Sequence, residues 1–134
     1  MKKNIQKLAA LLLLITLAGC KTNEPTNFTT WRCLENSPAG SRTYLIDMYR
    51  SIQDTTIYLI SNFHKISAEG EYDVRVKRTN NTFKIEAQPI GDSQYTINSG
   101  SGIINNNSSE MQFNYIIFDR KNNSSTEILA VYNR

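Results

Sequence analysis

Between residues 72 and 88 the chain switches between apolar and polar side chains at every second position. Tyr72, Val74 and Val76 share one face, with Asp73, Arg75 and Lys77 on the other. After Thr79-Asn80-Asn81 the alternation resumes, Phe83, Ile85 and Ala87 against Lys84, Glu86 and Gln88. Period two is what a strand with one dry and one wet face requires, and an Asn-Asn pair accepts the positive φ of a tight turn, so this segment is a β-hairpin. Residues 44–50 and 56–63 are rich in β-branched and aromatic side chains and flank the polar Gln53-Asp54-Thr55, which predicts a second hairpin. Further strands are expected over 94–98, 102–105, 111–119 and 127–133. They are separated by Ser99-Gly100 and by the Asn- and Ser-rich stretches 105–109 and 121–125, whose composition is turn chemistry.

No window after Trp31 keeps a 3.6-residue period. The one helical candidate is a single turn near 64–70, where Ala68 and Glu69 precede Gly70. Connections this short cannot make parallel crossovers, so the strands form an antiparallel meander of about eight members. Such a sheet has to close or fold into two layers, because an open one leaves its edges and an apolar face exposed. The expected fold is all-β, a small up-and-down barrel, with a β-sandwich as the alternative.

The beginning of the chain obeys a different logic. Lys2, Lys3 and Lys7 supply positive charge, residues 8–17 are apolar apart from Thr16, and Ala18 and Gly19 are small. This is the layout of an export signal, and the apolar run falls short of the roughly 20 residues that span a bilayer. Leu17-Ala18-Gly19-Cys20 resembles the lipobox of bacterial lipoproteins, in which the cysteine thiol is acylated and the peptide is cut just before it. The resemblance implies a signal peptide at 1–19, a lipidated stalk at 20–30 and a single β domain at 31–134. A single acyl chain binds a membrane only marginally, at roughly 10⁴ M⁻¹, whereas two or three anchor it stably. Lys21 after the cysteine resembles the pattern of Gram-negative lipoproteins sent to the outer membrane, and Lys21 followed by Glu24 resembles the surface-export signal of Bacteroidota. The expected location is therefore the cell envelope, on one face of the outer membrane.

Processing also removes the basic character of the chain. Of its fifteen Lys and Arg residues, three leave with the signal, and the remaining twelve meet twelve Asp and Glu. The formal charge of +3 belongs to the signal peptide, and nucleic acid is not an expected partner.

The order of elements resembles small lipid-anchored domains of Bacteroidota, through Asn62-Phe63, the Val-rich hairpin, Gly100-Ser101-Gly102 and the terminal strand. A second likeness is to lipocalin- and avidin-type barrels, which pack a tryptophan of the first strand against an arginine near the last. Trp31 and Arg134 stand at comparable ends here, with Thr29-Thr30-Trp31 in place of the family's Gly-x-Trp. On the residues alone, Trp31 capping the core beside a solvated Arg134 is the other reading.

Chemistry-bearing residues are few. With Cys20 acylated, Cys33 has no partner in the mature chain. It reads as a buried small hydrophobe, with an intermolecular disulfide as the sharper alternative and thiolate catalysis dependent on His64 as base. His64 reads as a loop residue, and no zinc ligand set is present. Glu69, Glu71 and Asp73 read as charges on a wet strand face. Asp54-Thr55-Thr56 resembles the O-glycosylation motif of Bacteroidota. Tyr44, Tyr58, Tyr95 and Tyr115, with Tyr49, are core formers that are also suited to line a ligand cavity. The expected function is a non-catalytic binding module, without cofactor, for a small apolar ligand or glycan. The alternative is an interaction or inhibitor lipoprotein with a solid core that contacts an envelope protein.

Overall fold

A computed structural model of the chain describes residues 28–66, 74–91 and 94–134. Cys20, Glu69, Gly70, Glu71, Tyr72 and Asp73 lie outside the described residues. The elements run β1 (Phe28–Ser37), β2 (Gly40–Arg50), β3 (Ile57–Ser61), a 3-10 turn at Phe63–Lys65, β4 (Val74–Thr79), β5 (Thr82–Ile85), β6 (Gln88–Ile90), β7 (Tyr95–Ile104), β8 (Glu110–Asp119) and β9 (Ser124–Asn133). All pairings are antiparallel. β9 pairs back onto β1 and β5 pairs with β7, so eight strands close into a barrel while β6 adds a ninth strand beside the first half of β7. Closure removes the free edges that an open meander would present, and it replaces the sandwich alternative.

Three details differ from the pattern reading. β1 starts at Phe28, so Phe28, Thr29 and Thr30 belong to the barrel and not to a stalk. Ser99-Gly100 is not a turn but lies inside β7, whose register slips between Ile97 and Ser99. The bulge lets Ile97 and Gly100 both face inward across the slip. Ala87 is exposed because β5 ends at Ile85. Where the ladder lapses, the Gln88 side chain takes it over, accepting from the Arg75 amide at 2.8 Å and donating to the Arg75 carbonyl at 2.9 Å.

The expected hairpin is β4–β5, with Asn80 at φ 55° in its two-residue turn. Inward positions on every strand fill the barrel, with Phe113 between Phe83 and Tyr132 and with Ile46, Ile60, Ile97 and Ala130 fully buried. Arg32, Arg75, Lys84, Asn114 and Glu127 point outward and are exposed, the reverse of a lipid-facing barrel. At the proximal end, where Phe28 enters, the Arg134 guanidinium lies over the Trp31 ring at 5.7 Å from its centroid. That is the pairing the likeness to lipocalin-type barrels implies, and the closed barrel is compatible with that fold.

Gly100 and Gly102 are fixed by the aromatics opposite them on β8. A Cβ on Gly102 would sit 2.6 Å from the Phe113 ring, and one on Gly100 would sit 2.8 Å from the Tyr115 Cβ. The Phe113 ring has no slack, since it is fully buried. Gly102→Ala is expected to destabilise the fold by about 1–3 kcal/mol, the usual cost of overpacking. A urea midpoint equal to that of the parent would contradict this packing.

Candidate functional site

Strand alternation sends Trp31, Cys33 and Glu35 of β1 to the barrel interior. For Glu35, only 2% exposed, this is a costly position, because a carboxylate out of water needs compensation on every lone pair. Four side chains provide it. The hydroxyls of Tyr44 and Tyr115 donate to Oε2 at 2.6 and 2.8 Å. Arg42 donates from Nε to Oε1 at 2.8 Å and places a second guanidinium nitrogen 2.6 Å from the same oxygen. His64 brings Nδ1 to 3.1 Å from Oε1 and 3.2 Å from Oε2. A carboxylate only accepts, so the imidazole proton sits on Nδ1.

Each partner arrives by a separate structural route. Arg42 stands directly opposite Glu35 in the β1–β2 ladder, and Tyr44 is two residues further along β2. Tyr115 crosses from β8 through the space that Gly100 leaves open. His64 is carried by the 3-10 turn, where Asn62, His64 and Lys65 all take positive φ near 56°. For side chains other than glycine this conformation is strained, and here several contacts hold it. Arg42 donates to the His64 carbonyl at 2.8 Å, and the Asn62 amide donates to the Leu45 carbonyl at 2.7 Å. Phe63 is buried against the Tyr115 ring, with centroids 4.7 Å apart. The turn thereby plugs the distal end of the barrel.

Burial pushes the Glu35 carboxyl up, but the bonds from His64, Tyr44 and Tyr115 outweigh it and hold the group down at about 2. Burial likewise raises the Tyr44 and Tyr115 hydroxyls, which therefore remain protonated donors. Cys33, fully buried beside Tyr44 and Tyr132, has its thiol pushed up to about 11 by burial. Its thiol stays protonated at neutral pH, and its side chain lies inside the barrel wall.

Over this cluster lies an open cleft of about 390 Å³, at the low end of the range of ligand sites. Arg42, His64, Tyr95, Asp119, Asn122 and Thr126 line it, above Ile117 and Ile128. The His64 ring stands edge-on to Tyr95 at 5.7 Å. On the far rim Asp119 is oriented by the Lys121 amide at 2.9 Å and by the Asn122 side chain at 2.6 Å. The cleft thus offers fixed donors, a fixed acceptor and one aromatic face.

The four tyrosines expected to line a cavity occupy three different places. Tyr95 lines the cleft, and Tyr44 and Tyr115 lie buried beneath it on Glu35. Tyr58 sits at the proximal end, edge-on to Phe83 with Arg78 over its ring. Sequence reasoning missed Glu35 and Arg42, although the shared inward register of Trp31, Cys33 and Glu35 marks the carboxylate once β1 is recognised. His64 is no simple loop residue, since its side chain is only 13% exposed and bonded to Glu35.

Because Glu35 ionises far below its ordinary value of 4.5, its contribution to stability is present in full above that value and is lost as pH falls toward about 2. The contribution is on the order of 3 kcal/mol. Glu35→Gln is expected to lower stability at neutral pH by about 3–5 kcal/mol, as removal of one partner from a buried pair does, and to flatten the acid limb below pH 4.5. Urea unfolding between pH 2 and 7 checks both, and a variant with the parent's acid limb would contradict the assignment. No protein-family model matches the chain, and no curated protein matches it, so the chemistry of the site is read from its own residues.

Proposed function

We propose that this chain is a lipid-anchored, non-catalytic binding module of the bacterial envelope that takes a sugar unit of a glycan at the distal mouth of its barrel. The observation that carries this reading is the cleft itself: Arg42 and His64 immobilised by a buried carboxylate, facing Asp119 and Asn122, with Tyr95 between them. Planar donors and acceptors held in fixed positions suit paired hydroxyls, and an aromatic face suits the apolar side of a sugar ring. The interior is filled by Tyr115, Tyr132, Phe63 and Phe113, which turns the reading from an enclosed apolar ligand to a polar one at the mouth. Anchoring through Cys20 would keep captured glycan at the envelope.

A second reading, an interaction or inhibitor lipoprotein, has an observation of its own. Leu45, Leu34, Leu129 and Ile116 lie on neighbouring strands β2, β1, β9 and β8 at diagonal register positions on the outer wall, each between 39% and 57% exposed. Such a stripe is a surface for a protein partner.

Titration of the isotope-labelled protein with soluble fragments of envelope glycans, followed by NMR, separates the two. The glycan reading predicts shifts confined to His64, Tyr95, Asn122 and their neighbours. It also predicts about tenfold weaker binding for Tyr95→Ala, the loss expected from one aromatic contact. Unchanged affinity in Tyr95→Ala, or shifts centred on Leu34 and Leu129, would overturn it.

A further inference from the structure

The two most exposed large apolar side chains among the described residues are at the same end of the barrel. Ile52, 67% exposed, projects from the β2–β3 loop, and Phe28, 60% exposed, opens β1 opposite Tyr49 of β2. The loop is stiff. The Ser51 amide donates to the Ile57 carbonyl at 2.9 Å, the Ile57 amide donates to the Asp54 carbonyl at 3.0 Å, and Arg50 donates from Nε to the Thr55 carbonyl. These bonds pin the loop on both sides of Ile52. Around the same rim stand three guanidiniums: Arg50, Arg78 over the Tyr58 and Phe83 rings, and Arg134 over Trp31. Asp54 of the β2–β3 loop and Glu110 at the start of β8 stand on this rim as well. The opposite mouth, which carries the cleft, presents Arg42, His64 and Asp119.

Apolar side chains ringed by arginines match the boundary between lipid headgroups and acyl chains. There, aromatic and aliphatic groups bury about 5–10 Å deep while guanidiniums reach phosphate oxygens. The tether fixes which end meets such a surface. From Cys20 to Phe28 the chain has eight steps, at most about 28 Å when fully extended. A ten-residue strand tilted in a barrel wall spans about 25 Å along the axis. For the cleft end to touch the bilayer instead, nearly all of the tether would have to be drawn straight along the barrel wall.

We propose that the proximal end of the barrel is a membrane-contact surface. Phe28 and Ile52 enter the interfacial zone of the bilayer that holds Cys20, while Arg50, Arg78 and Arg134 meet lipid phosphates. The cleft at the far end then faces away from the membrane. This goes beyond the binding reading and rests on acylation of Cys20, but not on the identity of any ligand.

The test uses the full-length protein purified from membranes, its acyl chains verified by intact mass and the protein reconstituted into vesicles rich in anionic phospholipid. An environment-sensitive fluorophore is attached at Ile52→Cys or at Asn122→Cys, Cys33 being buried and unreactive. Nitroxide-bearing lipids should quench the probe at position 52 and leave the one at 122 unaffected, while aqueous iodide should do the opposite. With the probe moved to Asn107→Cys, on the proximal β7–β8 turn, the pair Phe28→Ser and Ile52→Ser should reduce the ratio of membrane-seated to free barrel by about tenfold or more. Equal iodide access at 52 and 122 in a protein whose mass shows acyl chains would overturn the contact surface and leave the anchor standing. A mass without acyl chains would overturn both.

Discussion

A carboxylate inside a closed barrel is tolerated only when the surrounding structure is built to receive it. Glu35 collects hydrogen bonds from β2, from β8 and from the turn after β3, so three parts of the chain far apart in sequence converge on two oxygen atoms. Burial pushes this carboxyl up, and the bonds from His64, Tyr44 and Tyr115 more than offset it. Since Tyr44 and Tyr115, left without the carboxylate, would themselves be buried donors, the cluster is stable as a set and costly to break singly.

That convergence gives the barrel two unlike ends. Distally, the strained turn lies across the opening with Phe63 driven inward, and the same Arg42 that neutralises Glu35 ties down the His64 carbonyl. His64 of this plug forms part of the wall of the polar cleft. Proximally, closure comes from Trp31 beneath Arg134, with apolar side chains at the rim. The cleft thus lies at one end of the barrel and β1 begins at the other.

Much of this architecture is legible in the sequence wherever a local rule decides the outcome. Alternation from Val74 to Ile85 around Asn80-Asn81 yields β4 and β5 at nearly the right residues, because one face must be dry and the turn needs a left-handed residue. Gly100 is read as a turn from the sequence because glycine breaks strands as often as it makes room in them. Here its role is set by Tyr115 on another strand, a contact that no window around position 100 contains. The site was less legible still. Glu35 follows the same alternation as Trp31 and Cys33, but an acidic residue in an inward register reads as an outward one until its four partners are in place. The tyrosines show the converse: their number suggests a cavity, whereas Tyr44 and Tyr115 are spent on Glu35 and, among the described residues, only Tyr95 reaches the cleft.

The central claim is that Glu35 remains an anion held by Arg42, Tyr44, Tyr115 and His64 throughout the range in which the protein is folded. Carbon-detected NMR of the Glu35 side-chain carboxyl, followed through an acid titration of the folded protein, measures this directly. The account predicts a midpoint near 2 and no change between pH 7 and the ordinary carboxylate range. A midpoint at or above 4.5 would mean that the bonds do not compensate for burial, and the proposed basis of the mouth would be contradicted.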